Sequence, residues 1–164
     1  MRRTRISVAV CLSAIVGLAS VGGSVAGARP VGAHAASVVP IVVLKSRAGG
    51  TVVAAKVIIH GRAFAFVIDT GASVTLVNPT LAERLHLKTV GQPHRFCGVT
   101  GCATARRVRL ANWSIRGQPL PNVVVASSPI TGASGFGFGL LGSDVLSTFG
   151  SVTIDYRDKT MTLG

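Results

Sequence analysis

A mainly β domain with one or two short helices is the fold class this sequence predicts, on three observations. Apolar, β-branched runs of strand length recur at residues 51–59, 63–68, 106–113, 122–126, 152–156 and 161–163, each bounded by Gly, Pro, Asn or charged turn residues. Only two stretches carry helix-start signals. Without its first 28 residues the chain keeps 136, enough for one domain with one core and too few for two.

The N-terminus stands apart from that domain. Arg2, Arg3 and Arg5 precede an apolar stretch from Ile6 to about Ala19, and a small-residue tail follows with Ala26 and Ala28 in an A-x-A arrangement. Residues 1–28 therefore read as a signal peptide for export. The same tract approaches the ~20 residues that span a bilayer, so an uncleaved membrane anchor is the alternative. In both cases the arginines stay inside and the remainder faces outward, secreted or held in the periplasm or cell envelope. Residues 29–39 lack periodicity and read as a disordered leader, which leaves 40–164 as the folded domain.

Within the domain, residues 51–59 and 63–68 form the arms of a hairpin turned through His60, Gly61 and Arg62. The second arm ends in Asp69-Thr70-Gly71-Ala72, and an extended pattern resumes at 74–77. Asn78 is suited to cap a helix and Pro79 to be its first residue, so a short helix follows to about Leu85. Strands at 106–113 and 122–126 are separated by Arg116-Gly117-Gln118-Pro119. A second short helix starts near Gly142 or Ser143 and ends near Phe149 and Gly150, and the final hairpin turns through Arg157, Asp158 and Lys159.

The chemistry concentrates at Asp69, where an apolar strand delivers a carboxylate into a tight turn. Asp supplies acid–base capacity, Thr a bracing hydroxyl, and Gly the freedom to bend beside a carboxylate. A lone carboxyl with an ordinary value near ~4 is ionised at neutral pH, whereas two in contact share a proton and supply an acid and a base together. One Asp-Thr-Gly is present, so the second carboxyl must come from another copy of the chain. Asp155 lacks a following Thr-Gly and does not substitute for it.

With Leu140-Leu141-Gly142-Ser143-Asp144 following the Asp69-Thr70-Gly71-Ala72 turn at a distance, residues from about 51 to 164 resemble the retropepsin-like aspartic proteases. The resemblance implies a closed, barrel-like half-pepsin fold and a homodimeric endopeptidase acting on polypeptides through water held between two Asp69 carboxyls, without cofactor or metal. It implies that Thr70 braces the two turns and that Gly71 lines the floor. Leu140, Leu141 and Gly142 cross beside the turn, with Asp144 a hydrogen-bonding acid rather than a catalytic one. It also places a mobile flap at Cys97, Gly98, Val99, Thr100, Gly101 and Cys102. A non-catalytic peptide-binding module of the same fold is the alternative.

Cys11 falls in the export segment, and the remaining pair, Cys97 and Cys102, reads in an exported protein as a disulfide across the flap tip. A metal site of His94, Cys97 and Cys102 competes but has no clear fourth ligand. No Ser-His-Asp or Cys-His constellation and no phosphate loop can be assembled. Removing residues 1–28 takes three of the 17 basic residues and none of the five acidic ones, which leaves a net charge near +9. Arg106, Arg107, Arg109 and Arg116 concentrate it in a stripe that reads as a solvated strand face or a docking surface for an anionic envelope. Nucleic acid does not fit an exported chain with few aromatics.

Overall fold

A computed structural model describes residues 36–45, 49–98, 101–130 and 138–164, without the side chain of Cys97. The readings of residues 1–28 and of most of 29–39 lie outside the described residues, as do Val99 and Thr100.

Among the described residues twelve strands pair into one sheet. In chain order they are β1 (Ser37–Lys45), β2 (Thr51–Ile59), β3 (Arg62–Ile68), β4 (Leu76–Val77), β5 (His94–Gly98), β6 (Gly101–Leu110), β7 (Trp113–Ile115), β8 (Gln118–Pro119), β9 (Val123–Ser127), β10 (Gly139–Leu141), β11 (Val152–Asp155) and β12 (Thr160–Leu163). Two short helices interrupt them, α1 (Pro79–Arg84) and α2 (Ser143–Leu146), the latter continued by a single 3-10 turn, Ser147–Phe149. The pairing path runs β11, β12, β1, β2, β3, β10, β4, β9, β6, β5, with β7 joined to β2 and β8.

The mainly β expectation holds, with three differences. First, Ser37, Val38 and Val39 are not leader: they pair with Leu163, Thr162 and Met161, and Val39 is buried. The missing partner was the C-terminal hairpin, more than a hundred residues away in sequence. Second, the sheet stays open. Up to Pro40 the first strand pairs with β12, and from Ile41 it pairs with β2. Proline offers no N–H to a ladder, so it marks the corner where the strand changes partner. The outer strand of the C-terminal hairpin, β11, is then left as an edge. Third, the expected strand 106–113 divides, because Asn112 takes a left-handed backbone (φ 52°) that ends β6 at Leu110 and starts β7 at Trp113. The 74–77 strand shortens to Leu76 and Val77.

Inward faces of these strands, with Leu81 of α1, build one core that includes Val57, Ile59, Phe66, Val77, Leu110, Ile115, Val125, Leu141, Met161 and Leu163, all buried. Asn78 caps α1 through its side chain, which accepts from the Thr80 N–H at 2.9 Å, and Pro79 opens the helix. Trp113 buries its ring in the core and satisfies its indole N–H on the Pro121 carbonyl at 2.8 Å. No helix among the described residues is long and apolar enough to cross a membrane.

Candidate active site

Three strands meet beneath the Asp69 turn. β10 lies between the two arms that flank it, parallel to β3 (Leu140 opposite Val67, Leu141 opposite Ile68) and antiparallel to β4 (Leu140 opposite Leu76). The pairing continues into the turn, where the Asp69 N–H donates to the Leu141 carbonyl at 3.1 Å. The carboxylate is half-buried at the end of β3. Its Oδ1 accepts from the Gly71 N–H at 3.0 Å and the Ala72 N–H at 3.2 Å, so the turn fixes one oxygen with its own backbone. Among the described residues Oδ2 receives no hydrogen bond.

The turn is clamped from α2. Both the backbone N–H of Ser143 (2.8 Å) and its Oγ (2.7 Å) donate to the Ala72 carbonyl, and Oγ also lies 3.2 Å from the Thr70 carbonyl. Gly142 is the point of closest approach: a Cβ there would lie 2.8 Å from the Val74 carbonyl carbon and 2.9 Å from the Ala72 and Val74 oxygens. Only glycine fits between those backbones without displacing them. Gly71 is less constrained, since a Cβ there would lie 3.3 Å from Asp69 Oδ1.

Thr75, fully buried, ties the outgoing arm of the turn to the same helix. Its hydroxyl donates to Asp144 Oδ1 at 2.7 Å, its N–H donates to Asp144 Oδ2 at 3.0 Å, and its Oγ1 accepts from the Gly142 N–H at 3.0 Å. Asp144 thus spends both oxygens on Thr75. The sequence pointed to Asp144 but not to its partner. A hydroxyl at an inward position of the apolar 74–77 run was the signal, because a buried hydroxyl needs a partner. Ser143, the clamp itself, was seen only as a helix start.

Beside the turn, on the opposite sheet face from the main core, Val67 and Leu140 form a second apolar cluster with Val52, Ala72, Leu76 and Ile130 packed against them. Thr70 is exposed. In the β5–β6 hairpin Cys97 stands directly opposite Cys102, and Gly98 opposite Gly101. His94 pairs in register with Ala105 in the same hairpin, and the described residues hold no group of three His, Cys, Asp or Glu side chains that could hold a metal.

Strand alternation breaks up the basic stripe. Arg106 turns toward α1 and pairs with Glu83 at 3.4 Å, both side chains exposed. Arg107 and Arg109 take other positions of the alternation, and Arg116 sits in the β7–β8 turn with φ 50°.

Two comparisons bear on this arrangement. The family model described as aspartyl protease matches residues 55–145, which include the Asp69 turn, the hairpin and β10. A solved structure described as a retropepsin-like aspartic protease from Rickettsia conorii superposes with a TM-score of 0.53 at 19% identity, covering 79% of this chain and 90% of that one. No curated protein matches the chain.

Proposed function

This chain belongs to the aspartyl protease family, and from that premise we propose that it is an endopeptidase whose catalytic site is completed by a second copy of itself. One observation carries the reading. All five acidic residues of the chain are among those described, and only Asp69 stands at the turn: Asp144 is spent on Thr75, Glu83 faces Arg106, and Asp155 with Asp158 lies at the β11–β12 turn, where Asp155 Oδ1 accepts from the Arg157 and Asp158 N–H groups at 2.8 Å. A water activated by a pair of carboxyls therefore needs a two-fold homodimer, which sets the same turn on both sides of its axis.

In that dimer one ionised Asp69 takes a proton from the water as it attacks the scissile carbonyl, while the protonated partner donates a hydrogen bond to the carbonyl oxygen. The pair titrates as a unit, so neither copy is permanently acid or base. The exposed Thr70 hydroxyl is free to brace its symmetry mate. Leu76 and Ala72, half-buried over the buried pair Val67 and Leu140, give aliphatic substrate side chains a surface beside the bond to be cut.

The same reading includes a Cys97–Cys102 disulfide across the flap tip, supported by their direct opposition in the ladder. It also includes export through residues 1–28 and association of the cationic surface with an anionic envelope, both supported by the sequence alone. The test is enzymatic. Asp69→Asn is expected to abolish cleavage of an unstructured peptide library with the fold unchanged by circular dichroism. Wild-type specific activity is expected to rise with enzyme concentration through the dimer range, and excess Asp69→Asn chains to suppress it. An Asp69→Asn chain that still cleaves refutes the catalytic assignment, and a monomer with concentration-independent turnover refutes the shared site. A wild type that binds peptides without cutting them supports the binding-module alternative.

A further inference from the structure

Residues directly opposite each other across a ladder share a sheet face, so the registers can be followed outward from the turn. Val67 lies opposite Leu140, Leu140 opposite Leu76, Leu76 opposite Ala126, and Ala126 opposite Arg107. One row across β3, β10, β4, β9 and β6 therefore begins in the apolar cluster beside Asp69 and ends at Arg107. Two residues along the same face, Arg109 lies opposite Val124. The isolated bridge between Thr89 and Val108, with the Arg109 N–H donating to the Lys88 carbonyl at 2.9 Å, sets Lys88 beside Arg109. Arg107, Arg109 and Lys88 are all exposed, and among the described residues no carboxylate pairs with any of them. Arg106, the neighbour that does have an acid, belongs to the opposite face.

We infer that Arg107 and Arg109 determine substrate specificity, accepting an acidic side chain of a polypeptide whose scissile bond lies over the Asp69 turn. The inference rests on the proteolytic reading of Asp69. At about 4.8 Å between strands, Arg107 lies roughly 10 Å from Leu76 and roughly 14 Å from Leu140 across the sheet. The Asp69 strand lies one spacing beyond Leu140 and an extended peptide rises about 3.3 Å per residue, so with the arginine side chain reaching back toward the cut the acid that meets the guanidinium is about the fourth residue from it, with aliphatic residues nearer. A two-fold dimer repeats the arginines on both sides, so the acid is accepted on either side of the bond. Charge complementarity selects the occupant: the β6 end of the row presents three cations with no carboxylate paired to them among the described residues, and a guanidinium binds a carboxylate bidentately.

The test uses two peptide pools with a central aliphatic pair, identical except for Glu or Gln at the third and fourth positions on each side. Wild-type kcat/KM is expected to favour the Glu pool about three- to fivefold at low salt. That ratio falls as salt shortens the Debye length from about 30 Å at 0.01 M to about 3 Å at 1 M. In Arg107→Gln/Arg109→Gln it is expected to approach one, whereas Arg157→Gln/Lys159→Gln, the same loss of two charges at the distant β11–β12 turn, retains it. A wild type indifferent to Glu and Gln, or a double variant that keeps the preference, overturns the inference. Fluorescence-anisotropy binding of the same pools to Asp69→Asn chains separates the two readings. Preferential binding of the Glu pool without any wild-type cleavage sinks the proteolytic reading and leaves the arginine site standing, and equal binding sinks the arginine site.

Discussion

Replacing Thr75 by Val keeps the shape of a fully buried side chain and removes its hydroxyl. Two hydrogen bonds go with it. The bond to Asp144 Oδ1, 2.7 Å, is to a charged group, but Asp144 lies on the exposed side and its released oxygen can take water, so this loss is about 1 kcal/mol. The Gly142 N–H, buried and 3.0 Å from Thr75 Oγ1, is left with no acceptor, at about 2 kcal/mol. Together these give a destabilisation of about 3 kcal/mol. With a urea m-value near ~1.5 kcal/mol per M the unfolding midpoint drops by about 2 M. Thr75→Ser keeps both bonds and loses one methyl, about 1 kcal/mol, so it is expected to lie between wild type and Val. Adding Asp144→Ala to Thr75→Val should cost about 1 kcal/mol less than adding it to wild type, because the shared bond is already gone. A Val variant as stable as the Ser variant, or strictly additive double mutants, would refute the claim that this hydroxyl couples the turn to α2.

Gly142→Ala forces a methyl against backbone atoms at 2.8 and 2.9 Å, and is expected to cost about 2–3 kcal/mol in urea melts and to depress peptide cleavage further as the clamped turn shifts. Asn78→Ala removes the cap on the Thr80 N–H and is expected to cost about 1 kcal/mol, read by the same melts. Arg106→Ala breaks an exposed ion pair and should change stability by less than about 0.5 kcal/mol. Mass spectrometry of freshly purified, unreduced protein should find the chain two hydrogens lighter than the dithiol form; free thiols at Cys97 and Cys102 would remove the flap staple.

The Asp69 turn, the β2–β3 hairpin, the Asn78–Pro79 helix start and the closing hairpin were legible because each is local: alternation, a cap or a turn residue fixes it within a few positions. Thr75 and Asp144 were not legible as a pair, since 69 residues separate them and only the insertion of β10 between β3 and β4 brings them together. The same limit misread residues 37–39. Their partners lie at the other end of the chain, and an isolated strand carries no mark of a neighbour that distant.

The residue types of the site were set by the sequence alone: one Asp-Thr-Gly-Ala turn, one Gly before a short helix, and a cationic excess with five acids in total. Tertiary structure decided what each of them faces. Adjacent residues of a strand point to opposite sides, so four arginines that read as one stripe separate into a surface ion pair at Arg106, a turn residue at Arg116, and two cations in line with the face that carries the Val67–Leu140 cluster. Alternation along a strand is written in the sequence, but what each face meets depends on the strands paired beside it, and that pairing is a property of the fold.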